Sequence, residues 1–276
     1  MSSTIDLTIA IPVKNEEKNL PGCLKAIGKD FAKHVVVIDS GSTDRTSQIA
    51  KEADVEVIEF KWNGRYPKKR NWFLEHRTPQ TKWILFLDAD EHINEKFKME
   101  VRKKLPKTTN SGFLLAYNIH FMGKKLKGGY PLKKLALFQV GQGKYERIIE
   151  ENWSKFDMEI HEHPIIEGKI GKIKSKIDHL DYQGVSHYVT KHNVYSDWEA
   201  RRFLRFKKDK YENPLLDFNQ RIKYRCLNYF WFAPSYFLGS FFLMGGFLDG
   251  YRGVAFAILK SAYFSQIYCK IKEIEK

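Results

Sequence analysis

Cysteine is scarce in this 276-residue chain, and the three present form no pattern: Cys23, Cys226 and Cys269 are odd in number and far apart. That argues against a disulfide framework or a thiolate zinc site and fits a reducing compartment. Two nucleotide-binding signatures are also missing. No G-x-G-x-x-G follows the first apolar run and no G-x-x-x-x-G-K-[ST] occurs anywhere, so neither a dinucleotide oxidoreductase nor a P-loop NTPase is supported. The N-terminus has no basic region leading into a long apolar run; no signal peptide is expected, and cytoplasmic residence is. Acidic residues are in deficit, 33 against 47 basic ones, leaving a net charge of +14 that asks for anionic partners. Of that excess, +8 falls in residues 201–276, which hold 14 Lys or Arg against 6 Asp or Glu.

What is present indicates a folded α/β protein. Hydrophobic residues at 43% and aromatics at 14% exclude disorder, and the length suits one α/β domain with an appendage. Apolar runs at Leu7–Val13, His34–Ile38 and Glu56–Phe60 read as strands, and Leu20–Ile27, Arg45–Ala53 and Pro67–Glu75 as helices between them. A fourth run, Trp83 to Leu87, reads as a strand buried on both faces that stops abruptly in Asp88-Ala89-Asp90-Glu91. The β-α-β-α-β-α-β order with right-handed crossovers predicts a Rossmann-type, mostly parallel sheet with helices on both faces. Its carboxyl rim gathers Asn15, Glu16, Asp39, Arg70, Asp88 and Asp90, at the edge where open α/β sheets bind ligands.

Alternation along an extended segment turns Asp88 and Asp90 the same way, and two hard oxygen donors suit Mg²⁺ or Mn²⁺ bridging to a diphosphate. Such an ion, helped by basic side chains, would neutralise a diphosphate leaving group. Asp39 would accept hydrogen bonds from a base or from sugar hydroxyls, and Arg70 would lie against a ring or reach a carbonyl. Taken alone, Asp-x-Asp also reads as a solvated acidic turn.

Four segments in order resemble the signature of family 2 glycosyltransferases: Ile11-Pro12-Val13-Lys14-Asn15-Glu16-Glu17, Val37-Ile38-Asp39-Ser40-Gly41-Ser42-Thr43-Asp44, Lys69-Arg70-Asn71 and Leu85-Phe86-Leu87-Asp88-Ala89-Asp90. The resemblance covers about the first hundred residues. It implies a GT-A-like single domain, a nucleotide-diphospho-sugar donor such as UDP-glucose or a related UDP-hexose, a Mg²⁺ or Mn²⁺ ion, and inversion at the anomeric carbon. By motif match, Pro12, Glu16, Asp39 and Arg70 would hold base and ribose, Asp88 the ribose and Asp90 the metal. Asn15 and Ala89 fall within the same motifs and join the donor-binding set, and Asp88 is counted with Asp90 as a metal ligand.

Beyond Lys104, Gly112–Phe121 and Leu135–Val140 read as strands extending the sheet on the acceptor side. His161-Glu162-His163-Pro164 follows, then His179. His161, His163 and His179 are open as metal ligands or plain surface residues. The resemblance implies an acidic general base in this half. A subset related to bacterial lipopolysaccharide-core glucosyltransferases of the WaaE type places a His-Glu pair here, which points to Glu162, with Asp157 and Glu159 as competitors. No Gln-x-x-Arg-Trp motif is present, so transfer of a single residue is expected.

Apolar residues at three- and four-residue spacing predict a long amphipathic helix over Val185–Tyr211. Tyr229 to Leu248 runs twenty residues without a charge but is interrupted by Pro234, Gly239, Gly245 and Gly246. Helices lying in a membrane interface are expected there, with a single span or a core helix as the other readings. The chain is thus divided into a glycosyltransferase domain over 1–183 (1–104 for the nucleotide sugar, 105–183 for the acceptor) and a membrane-associating helical region over 184–276. The expected protein is a non-processive enzyme on the inner face of the cell membrane, acting on a lipid-linked or cell-envelope glycan, with an anionic membrane surface and no nucleic acid among its partners. The competing readings are a sugar-1-phosphate nucleotidyltransferase, which would be expected to carry a Gly-rich phosphate loop where this chain has Lys14-Asn15-Glu16-Glu17, and a non-enzymatic basic binder of membrane or nucleic acid.

Overall fold

In a computed structural model, residues 4–148, 156–159, 162–208 and 218–276 are described. The first half alternates as its apolar runs dictate: β1 (Ile5–Val13), α1 (Leu20–Ile27), β2 (Ala32–Asp39), α2 (Thr46–Glu52), β3 (Glu56–Glu59), α3 (Lys69–His76) and β4 (Trp83–Phe86). Then come β5 (Glu91–His92), α4 (Glu95–Lys104), β6 (Gly112–Phe121), β7 (Lys124–Lys125), β8 (Lys133–Gln139), β9 (Gly143–Tyr145), β10 (Pro164–Ile166) and β11 (Ile170–His179). The Asn94 side chain caps α4 by accepting the Phe97 N–H, with Glu95 in the first turn and Arg102, Lys103 and Lys104 in the last, as the helix dipole favours.

The chain divides into two compact units, one of residues 1–118 and 132–180, the other of residues 119–131 and 181–276. In the first, strands pair in the order β3-β2-β1-β4-β8-β6-β11-β5. β1 to β4 are parallel, and β8 joins β4 antiparallel. Period-two alternation splits the apolar residues between the two faces. Leu7, Ile9, Ile11, Leu85 and Leu87 pack with Leu20, Cys23 and Phe97. Ala10, Ile38, Ile84 and Phe86 pack with Phe73 and Phe138. Burial on both faces explains why these strands read as unbroken apolar runs.

Apart from β7 and the end of β6, the second unit is helical. It contains α5 (Val185–Lys208), α6 (Phe218–Cys226), α7 (Phe232–Leu238) and α8 (Tyr251–Ile274). α5 and α8 share a core of Ala200, Phe203, Phe206, Tyr263, Ile267 and Ile271. A Cβ on Gly253 would lie 1.8 Å from the Gly246 carbonyl oxygen, so this contact admits only glycine. The stretch 229–248 is not one helix. It breaks into α7, a π turn over Gly239–Leu243 and a 3-10 turn over Gly246–Asp249, with Gly245 at φ 76° between the two turns. The single-span reading therefore fails here, and no helix among the described residues is long and apolar enough to cross a membrane.

His192 on α5 stacks on Tyr188 (3.8 Å between ring centroids) and meets Tyr263 edge-on at 5.2 Å. Its Nδ1 donates to the Tyr188 carbonyl at 2.9 Å. Burial, then the nearby Lys260 ammonium, push its pKa down to about 4; Lys191 adds to this, and Asp181 opposes it. The unfolded chain, titrating near 6.5, then binds a proton between about pH 6.5 and 4 that the folded chain does not, so stability falls as pH drops through this window. The expected loss attributable to His192 is up to roughly 3 kcal/mol. Urea unfolding should show a shallower acid limb in His192→Gln than in the wild type; equal limbs would assign the loss to other groups.

Candidate active site

The acidic run forms a turn rather than a strand end. β4 stops at Phe86, and the Glu91 N–H closes the turn on the Asp88 carbonyl at 2.9 Å. The simple alternation argument for Asp88 and Asp90 fails for that reason. The turn still brings carboxylate oxygens of Asp88, Asp90 and Glu91 within 4.8 Å of one another. Ala89 is buried between the two aspartates. Three carboxylates this close repel, and two cations compensate. Arg70 Nη2 lies 2.6 Å from Asp88 Oδ1, while Lys134 Nζ, from β8, lies 2.9 Å from Asp88 Oδ2 and 2.5 Å from Glu91 Oε1. Burial would raise the Asp88 pKa, but Lys134 and Arg70 outweigh it and hold that carboxyl well below the usual range. Burial raises Glu91 to about 7, against Lys134 and with the help of Asp88. Glu91 is enclosed, whereas the Asp88 side chain is 27% exposed and has two cationic partners.

β11 supplies a further ligand type. It pairs antiparallel with β5, setting His179 opposite Glu91, and the His179 Nε2 comes 3.7 Å from Asp90 Oδ2. Of the histidines left open by sequence, His179 reaches the acidic turn. His163 donates its backbone N–H to Glu146, and His161 lies outside the described residues.

The other rim residues lie at the ends of β1 and β2 and in the loops that follow them. Val13 and Asp39 are register partners at the ends of β1 and β2, and Pro12 is buried opposite Ile38. Asp39 accepts from the Ser42 N–H and from the Ser42 and Ser47 hydroxyls, which fixes its carboxylate at the strand end. Asn15 sits at φ 58°, a left-handed conformation that Asn tolerates. It donates its N–H to Ser42 Oγ and accepts from the Thr43 N–H at 2.8 Å, tying the first loop to the second. Glu16 accepts from the Asn19 amide at 2.8 Å.

The base candidates separate by their partners. The two carboxylate oxygens of Glu159 accept the backbone N–H groups of Arg70 and Asn71 (2.8 and 3.0 Å). Burial raises its pKa despite Arg70. The Asp157 carbonyl accepts the Lys69 N–H, and its carboxylate lies 3.4 Å from Lys69 Nζ. Glu162 is buried and forms an ion pair with Lys68 at 2.6 Å.

The donor set fits a hard divalent cation: carboxylate oxygens from Asp88, Asp90 and Glu91, with an imidazole beside Asp90. Sequence reasoning noted Glu91 as acidic but gave it no role, and it missed Lys134. Nothing in the local pattern around Lys134 announces that β8 will lie beside β4; only the sheet order does.

A GT-A-like α/β domain whose sheet ends in such an acidic turn defines the class as glycosyltransferase. The profile of glycosyl transferase family 2 matches residues 8–158, and the chain belongs to that family. It is similar to the SPbeta prophage-derived glycosyltransferase SunS of Bacillus subtilis (strain 168), at 36% identity over 104 residues, 37% of this chain and 24% of that protein. The chain thus matches about a quarter of that relative's length. An uncharacterized glycosyltransferase of Rickettsia typhi is 25% identical over 273 residues, 96% of this chain and 88% of that protein. The crystal structure of S. aureus TarS 1–349 in complex with UDP-GlcNAc aligns with a TM-score of 0.48 at 15% identity, over 97% of this chain and 91% of that one.

Lys134 should be the main structural support of the turn. Lys134→Met leaves Asp88 and Glu91 facing each other with one shared cation gone, at a cost on the order of 2–4 kcal/mol. Adding Glu91→Gln removes the repulsion and should restore at least half of the lost stability in urea unfolding. A double variant no better than the single one would show that Lys134 acts by packing.

Proposed function

We propose that the chain is an inverting, non-processive glycosyltransferase that moves one sugar from a nucleotide-diphospho-sugar, UDP-glucose or a related UDP-hexose, to a hydroxyl of a lipid-linked or cell-envelope glycan. The observation that carries this reading is the acidic turn at the carboxyl rim, with Asp88 held by Arg70 and Lys134 and Asp90 beside His179. Asp90, with Asp88, would hold Mg²⁺ or Mn²⁺, whose charge would offset that of the departing diphosphate. Pro12, Asn15, Glu16, Asp39, Arg70 and Ala89 would shape the nucleotide site along the ends of β1 and β2 and the turn after β4. Glu162 would take the proton from the acceptor hydroxyl. Glu159 is a weaker candidate because both its oxygens already bind α3 N–H groups; Asp157, facing Lys69, remains the competitor to Glu162, which faces Lys68.

Asp90→Asn should lose most metal-dependent UDP binding and activity, since an amide is a poor ligand for a hard cation. Unchanged turnover of that variant in a chelator would end the metal reading. Glu162→Gln should lower turnover by ~10²–10⁴-fold and leave donor affinity nearly unchanged. If Asp157→Asn shows that pattern and Glu162→Gln does not, the base is Asp157.

The second unit supports attachment to an anionic membrane on the cytoplasmic side. Among the described residues, eleven of the nineteen exposed large apolar side chains lie between Tyr229 and Ile258, and Leu243 is 89% exposed. Ring contacts of Phe241 with Phe237, Phe242 and Phe247 join the middle of this stretch. Lys127, beside the exposed Lys124 and Lys125, binds Asp249 at the patch edge through its N–H, and the Arg252 guanidinium lies 4.5 Å over the Tyr251 ring. Broken short helices that expose aromatics among basic residues suit an acyl boundary with anionic headgroups, each cation contributing up to ~1 kcal/mol. Wild type should float with phosphatidylglycerol-containing vesicles and be partly released by salt. Phe242→Asp with Leu243→Asp should weaken flotation at least tenfold. Full-length protein that ignores every vesicle composition, or self-associates through this patch, would overturn the attachment.

A further inference from the structure

A cleft on the first unit opens beside Glu162. It is open to solvent and walled by Trp62 and Tyr66, with Lys68 and Glu162 among its lining and Arg65 and Arg147 beside them. Lys68 and Glu162 are buried, whereas Arg65 and Arg147 are exposed, so the ion pair forms the floor and the guanidiniums the rim. The walls are fixed in place. Trp62 Nε1 donates to the Arg65 carbonyl at 2.8 Å, and the Tyr66 hydroxyl donates to Glu75 at 2.9 Å.

The charges do not cancel at the rim. Each acidic side chain of the lining is engaged: Glu162 by Lys68, Glu159 by the Arg70 and Asn71 N–H groups, and Glu146 by the His163 N–H at 2.9 Å. Arg65 and Arg147 have no carboxylate partner among the described residues, and Arg147 lies 4.9 Å over the Tyr66 ring. The cleft also adjoins the acidic turn: Glu159 lines it and binds the backbone of Arg70, whose guanidinium holds Asp88.

We infer that this cleft holds the acceptor, and that the acceptor is an acidic sugar: a ring lying against Trp62 and Tyr66, bearing a phosphate or carboxylate that Arg65 and Arg147 bind, with a hydroxyl directed at Glu162. Flat aromatic walls suit the apolar face of a sugar, and guanidinium forks suit either anion. In the transfer, the acceptor oxygen bonds to the anomeric carbon, the bond from that carbon to the diphosphate oxygen breaks, the hydroxyl proton passes to Glu162, and the nucleoside diphosphate leaves with the electron pair. The inference rests on the glycosyltransferase reading and on Glu162 as base.

Calorimetric titration of the full chain tests it with four probes, glucose 6-phosphate, glucuronate, glucose and inorganic phosphate, alongside UDP with Mn²⁺. Glucose 6-phosphate and glucuronate should bind at least tenfold more tightly than glucose and than phosphate alone, and Arg65→Ala with Arg147→Ala should remove that advantage. Both side chains are exposed, so the variant should fold; its melting temperature checks this. Equal affinity for glucose and its phosphate, an unaltered preference in the double variant, or binding of phosphate as tight as that of the sugar phosphate would each overturn the inference. A fall in UDP affinity of matching size would place the arginines on the donor and overturn it as well. Failure of UDP to bind while the sugar phosphates behave as expected would count against the donor reading and leave the cleft assignment standing.

Discussion

Three carboxylates held within 4.8 Å of one another at the end of a buried strand form the constraint around which the first unit is built. Charges so close cannot all persist in a poorly solvated place without cations, and each cation comes from a different part of the chain. Arg70 arrives on α3 and Lys134 on β8. β11 must pair with β5 for His179 to reach Asp90. The sheet order therefore does more than fill a core. Placing β8 directly beside β4 delivers the cation without which Glu91, almost fully enclosed, would be an uncompensated buried charge.

How much of this was legible in the sequence follows from the range of each interaction. The strands at Leu7–Val13 and Trp83–Leu87 announced themselves because two-sided burial demands an unbroken apolar run, and the rim followed from strand polarity. Asp39, Arg70, Asp88 and Asp90 could be placed on one edge for that reason. Lys134 and His179 could not, since their roles depend on antiparallel pairings set more than forty residues away. β11 was hidden by its own pattern. Ile170, Ile173 and Ile177 have the three- and four-residue spacing of a helix, yet the segment is a strand that buries Ile173 and Ile177 on one face. In the second unit, the apolar stretch and its interruption at Gly239, Gly245 and Gly246 were both legible, whereas the π turn and the 3-10 turn on either side of Gly245 were not.

The basic run Lys68-Lys69-Arg70 illustrates how a surface-looking charge cluster can belong to the interior. Three cations at the start of a helix oppose the helix dipole, and all three are buried. Each is matched by acids from elsewhere: Lys68 by Glu162, Lys69 by Asp157, and Arg70 by Asp88, with Glu159 accepting the Arg70 N–H. Burial lowers the Lys69 pKa against the pull of Asp157, and its ammonium also donates to the Val13 carbonyl at 2.8 Å. The basic run is thus largely committed to holding α3 against the segment that carries Asp157, Glu159 and Glu162.

That commitment links the two halves of the chemistry. Glu159 fastens the start of α3, α3 positions Arg70 on Asp88, and Lys68 on the preceding residue holds Glu162. Any group that shifts α3 moves the partner of the acidic turn and the partner of the proposed base together. A side chain paired at 2.6 Å is not yet free to accept a proton, so an acceptor hydroxyl must share or displace the Lys68 ammonium before transfer. Binding energy from the rim of the cleft is available for that exchange, because Arg65 and Arg147 have no carboxylate to give up among the described residues. The separation of roles is physical: the paired cations fix positions, and the unpaired ones are left to recognise a ligand.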